Sequence, residues 1–166
     1  MSRSVDVSVT ARAAAPVEVA FDTIAPIDLA SIFDRWLLIP GVRGVRDQSG
    51  PWDAPGRTRT VQLSDGSEAP EQLTAVDRPR SFAYRVGPFP RPLGLLAASA
   101  EGDWSFTPSP GGGSEIRWTY RFIAQPGRRA VVQALIAPMW RGYARRALDR
   151  AVAAADAAAV RTATPR

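Results

Sequence analysis

Residues 56 to 86 read Gly56-Arg-Thr-Arg-Thr-Val-Gln-Leu-Ser-Asp-Gly-Ser-Glu-Ala-Pro-Glu-Gln-Leu-Thr-Ala-Val-Asp-Arg-Pro-Arg-Ser-Phe-Ala-Tyr-Arg-Val86. Polar and apolar residues alternate along this stretch. Two turn signals, Asp65-Gly66 and Asp77-Arg78-Pro79, cut it into three strands. Such alternation buries one face of a sheet. A two-residue turn at Asp65-Gly66 would pair Thr60 with Glu71 and set Val61 and Leu73 on opposite faces. A three-residue loop, Ser64-Asp65-Gly66 with Gly66 left-handed in a bulge, removes that conflict. It pairs Val61 with Ala69 and Arg59 with Glu71, so Arg59, Val61, Glu71 and Leu73 share a face. Two charges on that face are costly unless they are paired or look into a wet cavity. One placement is therefore an ion pair lining a cavity, where Arg59 anchors a carbonyl, phenolate or carboxylate. The other is an ordinary pair on the solvent side, of little energetic weight.

Working outward, Val5, Val7 and Val9 alternate with polar residues in a first strand. Ala15-Pro16 opens a helix with the apolar stripe Val17, Ala20, Phe21 and Ile24, stopped by Pro26. A second short helix is expected from Asp28, its N-cap, to Trp36. A strand follows at Val42 to Asp47, then a Gly- and Pro-rich loop at 48–56. Beyond Val86 the segment 87 to 100 is apolar and irregular, suited to the mouth of a pocket. Strands at Glu101–Thr107 and Ser114–Ile123 flank the turn Pro110-Gly-Gly-Gly113. From Arg128 to Ala159 the pattern is helical, with Val132, Leu135, Ile136, Met139, Trp140, Tyr143, Ala147 and Leu148 on one stripe and a kink at Pro138. The expected fold is α+β: a seven-stranded antiparallel sheet around a long C-terminal helix, with two short helices after the first strand. Residues 1–160 read as a single domain and 161–166 as a frayed tail.

Composition removes much chemistry. Of 166 residues none is His, Cys or Lys, and all 21 basic residues are Arg. Imidazole bases, thiol nucleophiles, Schiff-base lysines, disulfides and His/Cys zinc sites are excluded. No carboxylate cluster suggests a metal, and no phosphate-cradling loop precedes a helix. No cofactor is expected. The net charge of +5 speaks to non-specific binding, and all-Arg usage fits a compositional habit better than a nucleic-acid signature. No run is long and apolar enough for a membrane span, and a cytoplasmic location is expected. Arg141, Arg145, Arg146 and Arg150 read as a solvated helix face, with Arg145 paired to Asp149.

Tyr84, Trp104, Trp118, Tyr120, Trp140 and Tyr143 converge from three strands and the helix. Each alone is a core aromatic; together they suit a ligand pocket. The candidate cavity set is Arg59, Val61, Glu71, Leu73, Tyr84, Trp104, Trp118, Tyr120, Met139, Trp140 and Tyr143. Arg59, Glu71 and Tyr84 are the candidates for any catalysis.

Several motifs carry a family resemblance. They are Ala15-Pro-Val-Glu-Val-Ala-Phe21, Trp36 with Pro40-Gly41-Val42, Pro55-Gly56-Arg-Thr-Arg59, Asp65-Gly66 and Glu71-Gln-Leu73. Asp77-Arg-Pro79 with Phe82-Ala-Tyr-Arg85, and Trp118-Thr-Tyr-Arg-Phe122, complete the set. Over about residues 4–155 the chain resembles the START-like helix-grip superfamily, in its SRPBCC branch of polyketide cyclase/dehydrase and lipid transport proteins. That resemblance implies a deep cavity between sheet and helix, and a hydrophobic small-molecule ligand of lipid, polyketide or aromatic type. It also admits a cyclase or dehydratase, in which an Arg or Tyr stabilises an enolate and a carboxylate moves the proton. A module acting at ribosome or RNA is the third reading, and a homodimer is left open. Aromatic cyclases of this branch use a cavity arginine near the end of the strand that here runs 67–76. The matching region is Ala75-Val76, which leaves Arg59 on the neighbouring strand as the substitute.

Overall fold

The computed structural model describes residues 2–164. Strands β1 (Ser4–Ala13), β2 (Val42–Arg46), β3 (Thr58–Leu63), β4 (Glu68–Asp77), β5 (Ser81–Val86), β6 (Ala97–Pro108) and β7 (Ser114–Ala124) form one antiparallel sheet in the order β1-β7-β6-β5-β4-β3-β2. Helices α1 (Val17–Ile24) and α2 (Leu29–Ile32) carry the chain from one edge of the sheet to the other. Asp28 caps α2, its carboxylate accepting from the Ala30 N–H at 3.1 Å. The helix is one turn long and ends well short of Trp36, because Trp36 and Ile39 form a β-bridge closing a tight turn.

The β3–β4 hairpin has the bulged register. Arg59 faces Glu71, Val61 faces Ala69, and Gly66 has φ 87°, a left-handed conformation that favours glycine. The strands at 97 and 124 extend beyond the expected limits. The irregular segment therefore ends at Leu96, after a 3₁₀ turn at Leu93–Leu95.

The C-terminal helix begins with one turn, α3 (Arg129–Val131), widens into a π-helical turn at Val132–Ile136, and continues as α4 (Ala137–Ala163). Pro138 explains the widening. It lacks an N–H for the preceding turn and its ring crowds the carbonyl there, and one extra residue relieves both. That residue also shifts the helical register. Val132 is fully buried, but Leu135 is 63% exposed and leaves the expected apolar stripe. Arg161 to Ala163 continue the helix where a frayed tail was expected; Pro165 and Arg166 lie outside the described residues.

α4 packs on β1 and α1 through Ala144, Ala147, Leu148, Ala151 and Ala155. Near its end the Asp156 carboxylate accepts from the Ala15 N–H at 2.9 Å, which ties the helix to the start of α1. The expected Arg145–Asp149 pair does not form. Arg145 donates to the Thr10 carbonyl at 3.1 Å, and Arg150 pairs with Asp34 at 2.5 Å. Both arginines find partners on the elements that α4 covers, rather than along their own helix.

The register shift generates a contrast. Leu148→Ala, at a fully buried site, should cost about 2–5 kcal/mol. Leu135→Ala should cost less than about 0.5 kcal/mol. Urea denaturation of both variants measures the difference, and equal losses would contradict the π-turn register.

Candidate functional site

Side-chain size along β6 divides the interior. Its inward residues run from Ala100 and Gly102 to Trp104 and Phe106, all buried. At the bulky end Phe106 packs with Phe21 at 5.4 Å and Phe82 at 6.1 Å between ring centroids, making a solid core. At the small end there is room. A cavity of about 250 Å³ lies between β3, β4, β5 and β7 and the residues Ile136, Trp140 and Tyr143 of the C-terminal helix. Leu38, Arg91 and Pro92, all exposed, form its rim.

Arg59 and Glu71 lie in its wall. Arg59 Nε donates to Glu71 Oε2 at 2.5 Å, and each side chain is 6% exposed. Trp52, from the loop before β3, covers the guanidinium, whose Cζ lies 3.9 Å from the ring centroid. Burial raises the Glu71 carboxyl above its ordinary value, and the Arg59 charge opposes that shift without cancelling it.

Tyr84 sits one strand further on. Its oxygen accepts from Trp118 Nε1 at 3.2 Å. Burial, and then the Glu71 charge, push its phenol up. A Cβ at Gly102 would lie 2.2 Å from the Tyr84 ring, so only glycine admits the ring there. Tyr120 is likewise raised by burial, which keeps it a neutral phenol. Tyr143 donates to the Pro40 carbonyl at 2.9 Å, fastening α4 to the rim. The Trp140 ring lies 4.2 Å from that of Tyr120, and its buried indole N–H has no partner among the described residues.

Of the residues expected at the site, Arg59, Val61, Glu71, Tyr84, Trp104, Trp118, Tyr120, Trp140 and Tyr143 line this cavity. Leu73 and Met139 do not. Leu73 is fully buried, but it borders a neighbouring crevice with Phe21 and Pro26. It stands two residues along β4 from Glu71, toward the packed end. Met139 falls to one side of the row formed by Ile136, Trp140 and Tyr143, because the π turn sets which face of the helix looks inward. The expected set lacked Phe82, Val86 and Phe122 on β5 and β7, and Trp52, Phe33, Phe89 and Leu93 outside the sheet. The last four sit in loops or at one-turn helices, where no sustained periodicity marks an inward side chain. The aromatic character of Trp52 amid Gly and Pro was the one available signal.

An antiparallel sheet closed by a long C-terminal helix over a side cavity defines the helix-grip class. Residues 4–156 match the family model described as polyketide cyclase / dehydrase and lipid transport, and the chain belongs to that family. No curated protein sequence matches it. The crystal structure of Ara h 8.0201 is similar in fold, with TM-score 0.64 and 13% identity over 95% of this chain and 99% of that one. An uncharacterized protein from Bacillus thuringiensis gives TM-score 0.63 and 14% identity over 90% and 99%. The di-domain ARO/CYC BexL from the BE-7585A biosynthetic pathway gives TM-score 0.55 and 20% identity over 99% of this chain, which spans 51% of BexL. Among the described residues no helix is long and apolar enough to cross a membrane, and no group of three or more acidic side chains is placed to hold a metal.

Two outcomes follow from the pair. Arg59→Met strands a buried carboxylate and should cost about 3–5 kcal/mol, most of it recovered in the double variant Arg59→Met/Glu71→Leu. The folded state also holds the Glu71 proton more tightly than the unfolded chain does. Stability should therefore fall as pH rises above the ordinary glutamate value of about 4.3, through the raised one. Glu71→Gln should lack that component, as urea titrations at a series of pH values would measure.

Proposed function

We propose that the chain binds a hydrophobic small molecule, of lipid, polyketide or aromatic type, in this cavity. Arg59 and Glu71 form the polar anchor, and residues 87–96 lie at the mouth. One observation carries the reading: an aromatic-lined cavity holds a buried ion pair whose two side chains make no other hydrogen bond among the described residues. Ligand sites combine a mostly apolar wall with a few such polar groups. The description of the family, which names polyketide chemistry and lipid transport together, supports a hydrophobic ligand.

A cyclase or dehydratase reaction is the second reading. It is favoured by the raised proton affinity of Glu71 beside the phenol of Tyr84 in a buried site. It predicts turnover of a poly-β-keto substrate that Arg59→Ala abolishes. An unchanged product profile in that variant would remove it.

For binding itself, native mass spectrometry of the purified protein should show an apolar adduct that organic extraction removes. Val86→Trp, which fills cavity space from β5, should weaken that ligand by roughly tenfold or more while unfolding stays cooperative. Full retention of the adduct in the variant would place the ligand elsewhere.

A further inference from the structure

The charge balance of the cavity says which kind of ligand head group it takes. Among the described residues four charged ones line it: Arg59 and Glu71 within, Asp65 and Arg91 at the rim, two of each sign. The inner pair is closed on itself, with Arg59 Nε bonded to Glu71 Oε2. That single bond leaves both terminal nitrogens of Arg59, four N–H donors, without partners among the described residues. It also leaves Glu71 Oε1 without one. A ligand atom that accepts from those nitrogens must come within a few ångströms of the Glu71 carboxylate. A neutral oxygen gains the hydrogen bond at no electrostatic cost. An anionic oxygen meets a like charge in a poorly solvated space, where repulsion is strong. It would also enter buried surroundings whose one inner cation, Arg59, is already paired, while Arg91 stands exposed at the rim.

We propose that the cavity selects an uncharged ligand, one that presents a ketone, quinone or ester oxygen to Arg59, and rejects the isosteric carboxylate because Glu71 has already neutralised the guanidinium. A hydroxyl beside that oxygen would complete the match by donating to Glu71 Oε1. Free fatty acids and phosphorylated head groups are then poor ligands. The selection rests on the binding reading above and refines it.

The test compares two aromatic probes of nearly equal shape, 2-acetylnaphthalene and 2-naphthoate, by isothermal titration calorimetry at about pH 8, where the carboxylic acid is ionised. The wild-type protein should bind the ketone at least roughly tenfold more tightly than the carboxylate. Glu71→Gln keeps the shape and one acceptor oxygen for Arg59 Nε but leaves the guanidinium charge uncompensated, so the preference should invert toward the carboxylate. Equal or tighter binding of the carboxylate by the wild-type protein would overturn the selection while leaving the binding reading intact. Binding of neither probe would overturn both. Should Glu71→Gln fail to fold, the wild-type ratio alone decides.

Discussion

A seven-stranded sheet with one apolar face has to be covered, and the fit of the C-terminal helix against that face governs everything else here. The helix is graded. Beyond Tyr143 it presents Ala144, Ala147, Ala151 and Ala155, which let the backbone lie close to β1 and α1. Its proximal part presents Ile136, Trp140 and Tyr143, whose bulk holds it away from the sheet. β6 is graded too, small at Ala100 and Gly102 and large at Trp104 and Phe106. Close packing of protein interiors forbids accidental voids of this size. A cavity survives only because bulky side chains prop one end open while alanines seal the other.

That geometry explains why two charges are tolerated on the inner face. An ion pair inside a filled core contributes little, since desolvation offsets attraction. Beside a cavity the same pair keeps its remaining donors and acceptor available, and Trp52 shields its outer side. Arg59 and Glu71 belong to adjacent strands in a register set by one glycine turn, so neither can move without shifting the hairpin. The anchor is therefore held by main-chain pairing rather than by a loop.

Much of this was legible in the sequence, for identifiable reasons. Strand alternation and the Asp65-Gly66 turn specified which residues oppose each other, because side chains in a sheet alternate strictly. The order of elements followed from the same periodicities. The misses have separate causes. Leu135 and Met139 were misplaced because a helical stripe assumes an unbroken helix, and the π turn before Pro138 breaks it. Leu73 was assigned to the cavity because alternation reveals the face of a strand but not the position along it where packing gives way to space. Trp52, Phe33 and Phe89 were missed because irregular backbone has no period from which direction could be read.

The distribution of indoles has a spectroscopic consequence. The chain has five tryptophans, and Trp52, Trp104, Trp118 and Trp140 all border the cavity. Trp104 and Trp118 stack at 4.6 Å with an interplanar angle of 17°. Their strong transitions couple at that distance, so the far-ultraviolet circular dichroism should carry an exciton signature from the centre of the molecule. Intrinsic emission is likewise weighted toward the cavity, with Trp36 the lone indole reporting from outside it. The protein thus carries its own optical label for whatever enters.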